Sequence, residues 1–208
     1  MSRVNIFSPF YWRKPLIEHP ELSKQYVDLI LENYQEDPKL SPDWHVHTSY
    51  DIEHLLKNKI DWQPAFEVYS KYINQFLTEF FDEPVEWQVS GGLWYTAYGP
   101  GQTANIHEHI PDHFSIVHFI KFNPKEHWPI TFINPQGGQV KYMFNADPQF
   151  QSKLDFNNQH QSLFHPRFTP HIEEGDLVIF PSQLEHMVPK SESDEIRITI
   201  AFNIKIIK

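Results

Sequence analysis

The last stretch of the chain constrains the fold more than any other. In residues 195–207, EIRITIAFNIKII, Ile196, Ile198, Ile200, Phe202, Ile204 and Ile206 alternate with Arg197, Thr199, Ala201 and Asn203. Successive side chains of a strand point to opposite faces, so one face of this strand is an unbroken apolar row and the other is polar. The apolar row predicts packing against a second layer of structure. The polar row predicts either solvent or the lining of a cavity.

The same period of two recurs upstream. Segments 85–89, 92–98, 114–122, 130–133, 139–144 and 176–180 read as strands, separated by turn signals such as Gly99-Pro100-Gly101, Asn134-Pro135 and Gly137-Gly138. Segment 147–170 is polar and loop-like, longer than most connections. The first third has a different period. Residues 18–37 carry Leu22, Tyr26, Leu29, Ile30 and Tyr34 at helical spacing, and 61–82 carry Phe66, Tyr69, Ile73, Phe76, Leu77 and Phe80. Both patterns stop just before a proline, Pro38 and Pro84. Short strands with no helices between them predict an antiparallel jelly roll, with the helices collected on one sheet. Residues 1–208 are expected to form one domain, helical over residues 1–85 and β over residues 86–208.

Composition narrows the function. The 208 residues carry 27 acidic and 17 basic side chains, a formal net charge of −10. That disfavours nucleic acid, whose phosphates call for clustered Lys and Arg. Cysteine is absent, which excludes disulfides, thiolate metal sites and cysteine nucleophiles and suits a reducing cytoplasm. No stretch approaches the roughly 20 apolar residues of a membrane-spanning helix, and none reads as a signal peptide. No membrane partner is expected, and a homodimer is left open.

Histidines carry the chemistry. Within 90–115, SGGLWYTAYGPGQTANIHEHIPDHFS, His107 and His109 lie two apart. On a strand they share a face and Glu108 takes the other, so the two imidazoles can occupy adjacent positions on a divalent metal. His186, in GDLVIFPSQLEHMVP, is the best candidate for a third ligand. Beyond it, Arg197 offers a guanidinium that can grip a carboxylate with two parallel hydrogen bonds, and Thr199 on the same face can add a hydroxyl. A second His-x-His, His45 and His47, lies in an irregular Pro/Ser/Asp-flanked stretch and reads as a loop with exposed histidines. His118 alternates on its strand with Val117 and Phe119 and reads as structural.

Tyr98-Gly99-Pro100-Gly101, His107-x-His109, the run Gly175 to Ser182, His186 and Arg197-x-Thr199, in that order, resemble the Fe(II)/2-oxoglutarate-dependent oxygenases. The likeness is strongest to their prolyl-hydroxylase-like, phage and bacterial branch and covers about residues 85–205. It implies a double-stranded β-helix with Fe(II) on His107, His109 and His186. It also implies 2-oxoglutarate as co-substrate, its distal carboxylate on Arg197 with Thr199, and Tyr98 or Tyr95 against it. The activity it implies is oxidation of a substrate, a small molecule or a protein side chain, with release of succinate and CO2.

One position departs from that pattern. The family places Asp or Glu two residues after the first histidine, and here the residue is His109. Glu108 faces the other way unless a bulge turns it, and Asp112 is off the family's spacing. Three neutral imidazoles leave the metal a full +2 charge. Two further readings therefore stay open: a three-histidine, cupin-type dioxygenase that does not use 2-oxoglutarate, and a non-catalytic jelly-roll binding or structural protein.

Overall fold

The computed structural model describes residues 9–34, 46–50, 59–137, 149, 152–153 and 165–207. Two antiparallel sheets face one another. The larger is built from β1 (Trp12–Pro15), β2 (His47–Thr48), β3 (Trp87–Tyr98), β5 (Phe114–Lys121), β8 (Asp176–Pro181) and β10 (Arg197–Ile206). Its strand order is β1-β8-β5-β10-β3-β2. The smaller contains β4 (Ala104–His107), β6 (Thr131–Ile133), β7 (Arg167–Phe168) and β9 (His186–Val188), in the order β4-β9-β6-β7. The outer face of the larger sheet is covered by α1 (His19–Asn33) and α2 (Gln63–Phe81). This is the jelly roll with helices packed on one sheet that the alternating strands imply.

Each helix begins at a proline in its first turn, where a missing N–H costs nothing. Leu22, Tyr26 and Ile30 of α1, and Tyr69, Ile73, Phe76 and Leu77 of α2, are buried at three- and four-residue spacing. They meet Ile198, Ile200, Phe202 and Ile204 of β10, Ile116 and Ile120 of β5, and Leu177 and Ile179 of β8 in one core. Tyr69 stacks on Phe202 with ring centroids 5.5 Å apart. A second core lies between the two sheets, where Phe119, Val178 and Phe180 meet Ile130 and Phe132. The parity of β10 is as expected: Ile198 to Ile204 face the helices, and Arg197, Thr199 and Ala201 line an internal cavity.

Four local expectations change. The first third is not only helical: β1 pairs with β8 and β2 with β3, so this region adds both edge strands of the larger sheet. WRKP has no alternating apolar signal because an edge strand needs only a partner's backbone groups. Segments 85–89 and 92–98 form one strand, β3, interrupted by a bulge in which Ala201 faces Trp94 and Asn203 faces Ser90. Gly91, at φ +84°, supplies the left-handed residue that this bulge requires. His47 is buried, not exposed, and its Nε2 lies 2.8 Å from the Tyr95 hydroxyl. His45, the strand expected at 139–144 and most of 147–170 lie outside the described residues, but the end of that last segment supplies β7.

Buried histidines tie the helices to the sheet. His118 pairs with the Tyr69 hydroxyl at 2.8 Å and with His19 at 3.2 Å. Burial holds His118 well below the ordinary imidazole range and pushes His47 down to about 4. Both stay neutral in the fold but take up a proton near pH ~6.5 in the unfolded chain. The unfolded state therefore binds more protons below that pH, and stability present above it is lost as pH falls. The melting temperature of the metal-free protein is expected to drop between pH 7 and 5. A flat profile would contradict this, and Tyr69→Phe is expected to cost about 1–3 kcal/mol by stranding His118.

Candidate metal centre

The centre is built on the pairing of β4 with β9, in which His107 lies directly opposite His186. Side chains directly opposite on antiparallel strands are close enough to share one ion. The ring centroids of His107 and His186 are 4.2 Å apart, and those of His109 lie 5.1 and 5.2 Å from them. One ligand atom from each of the three residues can be chosen so that all lie within 4.8 Å of one another. The three candidate ligands named from the sequence are thus brought together.

Tautomer and charge suit a metal. His107 Nδ1 lies 2.7 Å from the Asn105 carbonyl, and His186 Nδ1 lies 2.9 Å from the Leu184 carbonyl. A carbonyl only accepts, so each Nδ1 carries the proton and each Nε2 keeps its lone pair for a metal. The backbone N–H of His109 donates to the Ser182 carbonyl at 2.9 Å, which anchors the third histidine beyond the end of β4. Burial lowers the pKa of all three, with His109 pushed down to about 4 and His186 held well below the ordinary range. Each is therefore a neutral donor at pH 7.

The three histidines open into a cavity of about 240 Å³ whose walls include Val46, Val117, Ile130 and Val188. Arg197 lies in the same cavity, only 3% exposed, with its guanidinium carbon 4.6 Å from the centroid of Tyr98. Among the described residues its Nε and Nη1 have no hydrogen-bond partner. Burial lowers the guanidinium pKa, and the neighbouring Tyr98 opposes that shift. A buried cation without a carboxylate beside it among the described residues is costly, so the guanidinium is the group at this cavity suited to an anion. Thr199 lines the cavity beside it and reaches the Thr96 carbonyl only at 3.5 Å, leaving its hydroxyl available.

Two expectations about the centre do not hold. Tyr98 lines the cavity, but Tyr95 points to the helix side and is committed to His47. Their odd separation along β3 puts them on opposite faces, so only Tyr98 can touch a ligand here. Strand alternation predicts that Glu108 faces away from the histidines. The strand ends at His107, alternation stops with it, and Glu108 lines the same cavity. Asp112 is not part of the histidine group; its carboxylate lies 3.5 Å from Lys205. Sequence reasoning missed Tyr50 and Thr96, which line the cavity, whereas Trp94, which reads from the sequence as a core or cavity wall, does line it. Thr96 shares the parity of Tyr98 and was findable from it.

Comparison with known proteins defines the class. The family model for 2OG-Fe(II) oxygenases matches residues 92–203, more than half of the chain, and the chain belongs to that family. It is an Fe(II)- and 2-oxoglutarate-dependent oxygenase. Among solved structures it is similar to the non-haem alpha-ketoglutarate-dependent carbocyclase SnoK from nogalamycin biosynthesis, with TM-score 0.59 and 12% identity over 94% of this chain and 79% of that one. It is similar to a Pseudomonas putida prolyl-4-hydroxylase, with TM-score 0.56 and 9% identity over 95% and 94%. HygX from Streptomyces hygroscopicus, solved with nickel, 2-oxoglutarate and hygromycin B, gives 0.55 and 8% over 95% and 83%. No curated protein sequence matches the chain. Among the described residues no helix is long and apolar enough to cross a membrane.

Because the imidazoles are already neutral, protons compete with a metal only at low pH. Co(II) affinity is expected to stay flat from pH 8 to about 6.5 and to decline only below it. A decline that begins above pH 7 would show that the histidines are not held neutral by burial.

Proposed function

We propose that His107, His109 and His186 hold the Fe(II) of this oxygenase, and that Arg197, with Thr199 and Tyr98, grips the distal carboxylate of 2-oxoglutarate. The observation that carries this reading is the buried guanidinium of Arg197, two of its nitrogens unpartnered, in the same cavity as three converging neutral imidazoles. Bound together, Fe(II) and 2-oxoglutarate supply the oxidising chemistry, in which dioxygen oxidises the substrate while 2-oxoglutarate becomes succinate and CO2.

The chain's own contribution is orientation and low local polarity. The Asn105 and Leu184 carbonyls hold two imidazole rings with their donor nitrogens inward. Arg197 fixes the far end of the co-substrate through two parallel N–H donors, and the Thr199 hydroxyl adds a third contact. Valine and isoleucine side chains on the cavity walls lower the local polarity, which strengthens charge interactions inside. The structures similar in fold include a prolyl hydroxylase and a protein solved with hygromycin B. A protein side chain and a small molecule are both substrates that this reading admits.

Anaerobic Fe(II) titration with and without 2-oxoglutarate tests the assignment. A weak visible charge-transfer band is expected only when both are present. His186→Ala is expected to abolish iron binding, and Arg197→Met to keep iron while weakening 2-oxoglutarate by at least about ten-fold, the loss of one charged hydrogen-bonded contact. Unchanged iron binding in the His186 variant would sink the ligand set. Iron binding without any band would sink the role of Arg197.

A further inference from the structure

The cavity has two unlike ends. β10 and β3 run side by side along it, with Arg197 opposite Tyr98, Thr199 opposite Thr96 and Ala201 opposite Trp94. Four residues of strand separate the first pair from the last, about 13 Å. The Arg197 end is deep and cationic. At the other end the Trp94 ring lies 6.0 Å from His109 and meets Tyr50 edge to face, with centroids 5.1 Å apart. Tyr50 is 68% exposed, so this aromatic pair forms a rim reached from solvent.

Charge distinguishes the ends further. Among the described residues lining the cavity, Arg197 is the one permanent cation and Glu108 the one acid. Glu108 is exposed, next to His109 in the chain, and no ion pair engages its carboxylate among the described residues. Once 2-oxoglutarate occupies Arg197, an anionic substrate finds no counter-charge at the rim, whereas a cation finds a carboxylate and two π faces. Tryptophan is the strongest aromatic partner for a cation, and a formal net charge of −10 draws cations toward the whole molecule. There is room beside the rim. Gly92 and Gly91 lie two and three residues before Trp94 on β3, and a Cβ added to either would meet nothing within 4 Å. A substrate larger than the cavity can lie across that open backbone.

We propose that the substrate carries an organic cation, an ammonium or guanidinium group, held by Trp94 and Tyr50 with Glu108 as its counter-charge. This rests on the reading that Arg197 serves the co-substrate and is not free for the substrate. It names a chemical class common to amine-bearing small molecules and to basic side chains of proteins.

The probes are choline and 3,3-dimethylbutan-1-ol, which share a shape and differ in charge. Their binding is followed by isothermal titration calorimetry, on the metal-free protein and on the protein with Fe(II) and 2-oxoglutarate under anaerobic conditions. Choline is expected to bind about ten-fold more tightly than the alcohol in both states. Glu108→Gln, a change at an exposed side chain, is expected to reduce that ratio to about two or three. Trp94→Leu is expected to weaken choline by a similar factor of ten. Equal affinities for the two probes, or no choline binding, overturn the proposal, as does a ratio unchanged by Glu108→Gln. The charge-transfer band is recorded on the same samples. A band without a choline preference overturns the cation site and leaves the oxygenase assignment standing. A choline preference with iron bound but no band overturns the role of Arg197 and leaves the cation site standing.

Discussion

Backbone pairing of β10 with β3 on one side and β5 on the other decides which of its side chains enter the cavity and which enter the helical core. A strand has a period of two, so a slip of one residue would send Arg197 into the helical core and Ile198 into the cavity. The register is held by the apolar row. Ile198, Ile200, Phe202 and Ile204 are each fully buried against the helices. Burial of one such side chain contributes about 1.5–3 kcal/mol. The row as a whole therefore offsets what is spent on the other face, where a guanidinium is buried without a carboxylate. The stability of one face of this strand keeps a costly charge poised on the other.

The histidines obey a different constraint, that of the smaller sheet. His107 and His186 are cross-strand partners, and each turns its Nδ1 toward a carbonyl two residues earlier in its own chain. The same local device on both strands fixes both tautomers without recruiting a distant side chain. In the proposed assignment three neutral imidazoles leave Fe(II) with its full +2 charge, where a carboxylate ligand would leave +1. The doubly charged 2-oxoglutarate then makes the metal complex neutral overall, and the Arg197 cation meets the far carboxylate unopposed. In that assignment His109, standing where the family places an acidic ligand, shifts more of the work of holding the co-substrate onto plain charge attraction.

Much of this was legible in the sequence, for physical reasons that differ by element. The parity of β10 and the two helices showed because long periodic segments bury one face and reveal it in their spacing. The His107–His109–His186 group was legible because metal ligands are few in kind and their order along the chain survives folding. What was not legible depended on tertiary partners. β1 and β2 carry no period of their own and exist because β8 and β3 offer unpaired backbone. His47 is buried because Tyr95 receives it, forty-eight residues away in the chain. Tyr95 and Tyr98 looked interchangeable until parity along β3 placed one in the core and one in the cavity. Glu108 was misplaced because alternation was carried one residue past the end of β4.

The larger sheet acts as a partition with unlike titratable groups on its two sides. On the helix side His118, His47, Tyr69 and Tyr95 are buried and pair with one another, and neutrality is their stable state. On the cavity side, among the described residues, Arg197 keeps two nitrogens without a hydrogen-bond partner and Glu108 makes no ion pair, and they stand at opposite ends of a passage with apolar walls. Low local polarity makes the buried guanidinium more demanding of a counter-charge than it would be in water. A ligand that brings an anion to the deep end relieves the one unfavourable charge that the fold contains there. Because only the folded chain presents that charge in this setting, occupancy of the deep end and stability of the β10 register are linked: each favours the other by the same free energy.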